Sequence, residues 1–360
     1  MALIAMLYRW AGDLSRRSRG IARLFLLAFA LLIAFTSVTA VYRIADLFPN
    51  EFVVFTRAAG IVVAVLVIYS SAIALALRRL PAVVESRRSA LKALASGAIA
   101  LPLAAFAIGY SKRNDLQLVE ADIEVPNLPP DLQGLRIVQL TDIHLSPLVN
   151  ESLLARAVDM ANEARGAIAI VTGDLVTRRG DPLDACLNQL ARLRSDAGTF
   201  GCLGNHEIYA DAEEYTTGEG RRRGLRFLRS ESQTLRFGNA RLNLAGVDYQ
   251  RKRDGYLHRA QSLVVPGATN VLLSHNPDVF RVAANQGFDI TLSGHTHGGQ
   301  VNFEMIHPAL NIARFYTPYV HGLYELGANR LYVSRGVGTI GIPARIGAPP
   351  EVAILRLCAI

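Results

Sequence analysis

The sequence has 360 residues, of which 51% are apolar, and its 38 Lys and Arg outnumber 30 Asp and Glu to leave a net charge of +8. The mean hydropathy of +0.25 is high for a soluble chain, and the apolar excess lies in the first 110 residues, so the composition excludes a uniformly soluble protein and describes a membrane part joined to an ordinary globular part. The basic clusters Arg16, Arg17, Arg19, Arg23, then Arg78, Arg79, then Arg87, Arg88, Lys92 bracket apolar runs, which argues for topology signals and makes nucleic acid an unlikely partner. Cys186, Cys202 and Cys358 are odd in number and lack zinc-like spacing, so they give neither a disulfide framework nor a structural metal site.

In chain order, residues 1–111 read as a membrane region with three candidate spans, 24–42, 58–77 and 93–110. Each approaches the ~20 apolar residues that a bilayer requires, the third being the shortest. Five Arg and one Asp precede the first span, the loop after it is balanced, and the loop after the second is strongly basic. The positive-inside rule then predicts a multi-pass protein of the bacterial cell membrane. Everything after Lys112 falls on the outer, periplasmic or extracellular, face. Ser86-Arg87-Arg88-Ser89-Ala90-Leu91-Lys92 ahead of an apolar run also resembles a twin-arginine export motif, with Ala105-Phe106-Ala107 as a small-residue cleavage site.

Residues 112–130 read as a connector and first strand, and 131–360 as a catalytic domain. Strands are expected at 135–140, 168–172, 199–203, 271–274 and 290–293, with helices at 151–163, 182–193, 277–286 and most of 212–229. Two strands across 233–247 are joined by a Gly238-Asn239 turn. Short β runs at 300–305, 330–334 and 352–356 complete a layered α/β sandwich.

Five motifs stand in fixed order: TDIHLS with Asp142 and His144, VTGDLV with Asp174, LGNHE with Asn205 and His206, LLSHNPD with His275, and SGHTHGG with His295 and His297. Each places Asp, Asn or His directly after an apolar run, at the strand ends where open α/β sheets put their sites. Asp142 and His144 are two apart, as are His295 and His297, so on extended backbone each pair shares a face. Gly173 before Asp174, and Gly294, Gly298 and Gly299 around the last pair, give room for close backbone approach. Imidazole, carboxylate and amide donors suit Mn, Fe or Zn. Two divalent metal ions ~3.5–4 Å apart would suit hydrolysis of phosphate esters.

The set resembles the calcineurin-like metallophosphoesterase superfamily, whose pattern is DxH, GD, GNH, H and GHxH, over roughly residues 115–358. The stretch SRGVGTIGIPARIGAPPE is similar to its membrane-associated or twin-arginine-exported bacterial phosphodiesterase branch. The resemblance implies an α/β/β/α sandwich. It also implies that Asp142, His144 and His297 hold one metal, Asp174 bridges, and Asn205, His275 and His295 hold the second. His206 would be catalytic rather than a ligand, stabilising the phosphoryl oxygens or protonating the leaving group. Glu207 stands where many relatives have Asp, and is expected to orient His206. Arg335, Arg345 and Tyr209 are further candidates for the substrate side. The implied activity is a phosphodiesterase acting on envelope phosphodiesters or pyrophosphates, with the substrate lipid-linked, nucleotide-sugar-linked or wall-polymer-linked. The alternatives are a phosphomonoesterase, which the same metals would serve, and a non-catalytic membrane scaffold or sensor.

Overall fold

Apolar residues recurring through Asn50–Arg78 build one long helix, α1. The computed structural model describes residues 48–78, 101–251 and 255–360, and the chain divides into two units, 1–107 and 108–360. Within α1 the stretch Asn50–Tyr69 has 20 residues and mean hydropathy 2.3, enough length and apolarity to cross a ~30 Å hydrocarbon core. Phe55, Val65 and Ile68 are exposed on it. The expected span 58–77 lies inside this helix, which begins eight residues earlier because Glu51 and Arg57 do not interrupt helical backbone. The expected span 24–42 and the twin-arginine motif lie outside the described residues. Of the expected span 93–110 only 101–110 is described, and its helical turns continue to residue 112.

The second unit holds two six-stranded sheets. The first has β1 (Gln117–Val125), β12 (Glu351–Ala359), β2 (Arg136–Leu140), β3 (Ile168–Thr172), β4 (Thr199–Cys202) and β5 (Leu225–Phe227) in that spatial order. In the second the order is β10 (Gly322–Leu326), β11 (Asn329–Val333), β9 (Ile290–Ser293), β8 (Thr269–Leu273), β7 (Ala240–Gly246) and β6 (Glu231–Phe237). Strands β2, β3 and β4 are parallel neighbours, as are β7, β8, β9 and β11. Their carboxyl ends therefore line up along one edge of each sheet, where the connecting loops carry the polar motifs.

Side-chain parity explains the layering. Ile168 and Ile170 of β3 join Val271 and Leu273 of β8 in the core between the sheets. Val171 points the other way, into a second core with Leu153, Leu154, Ala157 and Val158 of α2 (Glu151–Glu163) and Leu187 of α3 (Leu183–Leu190). On the far face of the second sheet Leu272 packs with Val279, Ala283 and Phe288 around the short helix Phe280–Asn285. Strand β3 is buried along its whole length, so truncating Ile170 to Ala should cost about 2–5 kcal/mol.

Some elements depart from the sequence expectation. A short helix α4 (Asn205–Ala210) begins inside the GNH motif. The helix expected across 212–229 is α5 (Glu213–Arg222) only. Gly224 then turns the chain at φ +82°, the left-handed geometry that ends helices, and β5 adds to the sheet edge. Residues 300–305 form isolated bridges, Val301 to Ile346 and Gly347 and Asn302 to Asn311, and no strand. Gln300 has φ +52° there, which extended backbone cannot accommodate. Strand β10 lacked an alternating pattern strong enough to be anticipated.

Candidate metal centre

The first sheet delivers Asp142 and His144 after β2, Asp174 after β3, and Asn205 and His206 at the start of α4; the second delivers His275 after β8, and His295 and His297 after β9. All of the sequence-predicted residues meet at one edge. Seven of them form three overlapping groups whose donor atoms lie within 4.8 Å of one another: Asp142, His144 and His297; Asp174, His275 and His295; and His144, Asp174 and His206. Asp174 reaches both histidine sets, its Oδ2 lying 3.0 Å from His275 Nε2 and 3.5 Å from His144 Nε2.

The convergence does not come from shared strand faces, as the spacing suggested. Asp142, His144, Asp174, His295 and His297 have φ of +50°, +49°, +55°, +76° and +52°. This left-handed conformation is uncommon in residues other than glycine. The strands have already ended, and each loop turns its side chain inward residue by residue. His295 and His297 consequently enter different groups. The loops are locked to one another by backbone bonds from Asp142 N–H to Gly173 O (3.1 Å), His144 N–H to Asp174 O (3.0 Å) and Gly338 N–H to Asp142 O (2.7 Å). A Cβ on Gly294 would stand 2.2 Å from Asp142 Oδ2, and one on Gly173 would stand 2.4 Å from Gly204 N. Both positions require glycine.

Four of the five imidazoles have one nitrogen occupied from outside the cluster. His275 Nδ1–H donates to Thr172 O (2.7 Å) and His206 Nδ1–H to Thr177 O (2.6 Å), leaving Nε2 for the site. His144 Nδ1 meets Thr177 Oγ1 at 3.2 Å, and His297 Nδ1 meets Arg345 Nη2 at 3.3 Å. The two carbonyl acceptors fix the tautomer of His275 and His206, and all four partners hold ring orientation. Thr177 serves two histidines and went unnoticed in the sequence because a threonine three residues after GD carries no motif signal.

Charge and pairing in this site fit cations. His144 Nε2 and His297 Nε2 approach to 3.1 Å, and His295 Nδ1 and His275 Nε2 to 3.2 Å. Asn205 Oδ1 is buried and has no hydrogen-bond partner among the described residues, an arrangement that is costly without a ligand. Burial is the main cause holding His144 and His295 at about 3 and His297 well below its ordinary value, so these rings are neutral and offer lone pairs. Burial also raises Asp142 to about 6. It disfavours a charged His275 as well, but the Asp174 and Asp142 carboxylates outweigh it and raise that pKa to about 10. The buried carboxylates thus draw positive charge into the cluster, a role that divalent cations would fill.

Glu207 does not orient the His206 ring. It is fully buried and accepts from the N–H groups of Gly204 (2.7 Å), Leu175 (2.7 Å) and Asp174 (3.0 Å), clamping the loops after β3 and β4 together. Burial, then the nearby Asp174 charge, raises its pKa. Arg335 and Arg345 are likewise committed elsewhere. Arg335 pairs with Glu351. Arg345 is buried and donates to the carbonyls of His297 (3.0 Å), Arg335 (2.8 Å) and Ala348 (3.2 Å), organising the loop beneath His297. Tyr209 is half exposed, its ring 5.2 Å from that of His206.

Beside the histidines opens a cavity of about 590 Å³ lined by Tyr249, Arg251, Tyr256, Ile312, Tyr316 and Ile340 among others. The Tyr249 ring lies 5.3 Å from that of His295, and Arg251 stands over Tyr209. Arg251 makes no ion pair among the described residues. Tyr249 and Arg251 follow β7, whose carboxyl end reaches the same edge. The parallel pairing of β7 with β8, which would have pointed to them, is not legible in the sequence.

Residues 135–299 match the calcineurin-like phosphoesterase family. An uncharacterized metallophosphoesterase of Campylobacter jejuni is 33% identical over 71% of this chain and 67% of its own length. A transmembrane protein with metallophosphoesterase domain from Danio rerio is 32% identical over 78% and 68%. Phosphodiesterase YaeI of Escherichia coli is 29% identical over 62% and 82%. This chain belongs to the calcineurin-like phosphoesterase family and is a hydrolase of phosphoester bonds.

Proposed function

We propose that this member of the family is a binuclear phosphodiesterase fixed in a bacterial cell membrane, with its catalytic unit on the outer face and envelope phosphodiesters or pyrophosphates as its substrates. The observation that carries the reading is the position of Asp174 within reach of His144 on one side and His275 on the other. One cation would be held by Asp142, His144 and His297 and a second by Asn205, His275 and His295, with Asp174 between them. Such ions would polarise the phosphoryl group and lower the pKa of the attacking water.

The protein's own groups supply the rest. His206 has Nδ1 tied to Thr177 O and its backbone N–H tied to Asp174 Oδ1 (2.9 Å), so its Nε2 is held toward the reacting phosphate. There, with both ring nitrogens protonated, it would donate to a phosphoryl oxygen or pass the Nε2 proton to the departing alcohol. Arg251 and Tyr249 line the cavity on the substrate side and are suited to hold the arm of a diester that is not cleaved. The cavity leaves room for a second ester arm, and a relative named phosphodiesterase supports the choice of a diester. The apolar α1 and a relative named as a transmembrane protein support the membrane setting. The charge bias around the apolar runs supports several passes and the outer orientation.

The test is hydrolysis of bis-p-nitrophenyl phosphate and p-nitrophenyl phosphate by the full chain, metal-stripped and then reloaded with Mn, Fe(II) or Zn. Metal-dependent cleavage of the diester is expected. Loss of roughly 100-fold or more is expected in His206→Ala with metal content retained. Cleavage of the monoester alone would overturn the phosphodiesterase reading.

A further inference from the structure

Exposed apolar side chains in the catalytic unit concentrate in one place. Residues 303–316 carry Met305, Ile306, Phe315 and Tyr316 at 92%, 74%, 77% and 82% exposure, with Leu310 and Ile312 also exposed. A surface patch of this kind marks a docking site more often than an accident of packing. The segment is not loosely held. Buried Asn311 donates through Nδ2 to Gly298 O (3.1 Å) and to Glu304 Oε1 (3.0 Å), and His321 Nε2 meets Glu304 Oε2 at 2.9 Å. Two turns of 3₁₀ helix, Pro308–Leu310 and Ile312–Phe315, then present the apolar groups outward. The anchor is the Gly298-Gly299 turn that directly follows His297, where a Cβ on Gly299 would stand 2.0 Å from Asn311 Oδ1.

The patch also runs into the cavity, since Ile312 and Tyr316 belong to both, and the cavity's other end is His295, His297, Tyr249 and Arg251. Its lining therefore joins apolar side chains to Arg251 and to the metal-competent His295 and His297. The occupant that matches both halves has an apolar body and a phosphodiester head. The chain itself specifies where such a molecule is met: α1 is apolar and long enough to cross a bilayer, which keeps the catalytic unit at a lipid surface. Electrostatic steering is not the means, because residues 108–360 hold 26 Lys and Arg against 26 Asp and Glu.

We propose that residues 303–316 insert into the lipid surface and that the adjoining cavity takes a membrane lipid phosphodiester from it. Water adds to phosphorus, one P–O ester bond breaks, and the alcohol leaves with a proton, giving a phosphate monoester. The proposal rests on the phosphodiesterase reading for its chemistry, and on the patch alone for docking.

The full chain would be reconstituted in phosphatidylethanolamine and phosphatidylglycerol vesicles with brominated acyl chains, carrying Trp10→Phe and Phe315→Trp. Bromine quenching of the single tryptophan is expected. A control with Tyr215→Trp in place of the change at Phe315 should not be quenched. In the same vesicles a diacylglycerol p-nitrophenyl phosphodiester would be compared with soluble bis-p-nitrophenyl phosphate. Met305→Asp with Ile306→Asp should slow the lipid substrate roughly tenfold or more, change the soluble one by less than about twofold, and show little salt dependence. An unquenched Trp at position 315, or an equal effect on both substrates, would overturn the proposal. Failure to cleave either diester would instead sink the phosphodiesterase reading, and the quenching result would still decide docking.

Discussion

The two sheets contribute unlike halves to the centre. The first supplies both carboxylates, Asp142 and Asp174, together with Asn205, His144 and His206; the second supplies only imidazoles, His275, His295 and His297. Only the group of His144, Asp174 and His206 comes from one sheet, and the other two groups draw on both. Asp142 and His144 are completed by His297, and Asp174 by His275 and His295. The centre is thus an interface between sheets, and the apolar core between them sets the separation of the donors. Packing the two sheets together and building the site are one event.

The strongest way to break this arrangement is at Asp174, which lies between His144 and His275. Asp174→Asn should lower diester hydrolysis by roughly a thousandfold or more and reduce metal content at both positions, read by turnover and elemental analysis. Retention of both metals would show that the halves do not depend on Asp174. His275→Ala and His297→Ala come from the same half but sit in different groups. Each should cost roughly a hundredfold in turnover and release one metal while keeping the other. Release of both metals from either variant would mean that the groups are not separable.

Glu207→Gln acts within the first half only. It places an amide donor among the three N–H groups that the carboxylate accepts, and should cost about 1–3 kcal/mol in urea unfolding with metal stoichiometry unchanged. Smallest is Thr177→Val, which removes the hydroxyl beside His144 Nδ1 but leaves the Thr177 carbonyl that orients His206. Metal affinity should weaken roughly tenfold at the His144 position, measured by competition with a chelator. An equal loss at the His275 position, whose orienting group is the Thr172 carbonyl, would contradict the division into halves.

Much of this was legible in the sequence because the motifs abut buried strands. Ile168–Thr172 and Ile290–Ser293 were read with the boundaries that the structure has, and Glu151–Glu163 likewise. The motif residues all converge. How they converge was not legible: spacing of two suggested shared faces, whereas the loops use left-handed backbone at Asp142, His144, His295 and His297, a conformation that Asp and His tolerate better than most residues but that tertiary contacts select. The backbone bonds of Glu207 and Arg345 were not legible for a related reason. A charged side chain in a polar or glycine-rich motif can orient a neighbour, meet substrate or bond to backbone, and only its burial decides among them. Residues 300–305 read as a β run because apolar residues alternate there, yet they make only isolated bridges at Val301 and Asn302.

Strand β12 carries a consequence for biosynthesis. It lies between β1 and β2, parallel to the first and antiparallel to the second, so β1 touches the sheet only through it. A nascent chain finished as far as residue 350 has every histidine and carboxylate of the centre, but its first sheet is split and β1 has nothing to pair with. Contacts spanning more than 200 residues must then form last, a slow step in any folding reaction. The enzyme's maturation is in this way timed to the arrival of residues 351–359, and a stop codon just ahead of them would remove an internal strand from the sheet where a dispensable tail would be expected.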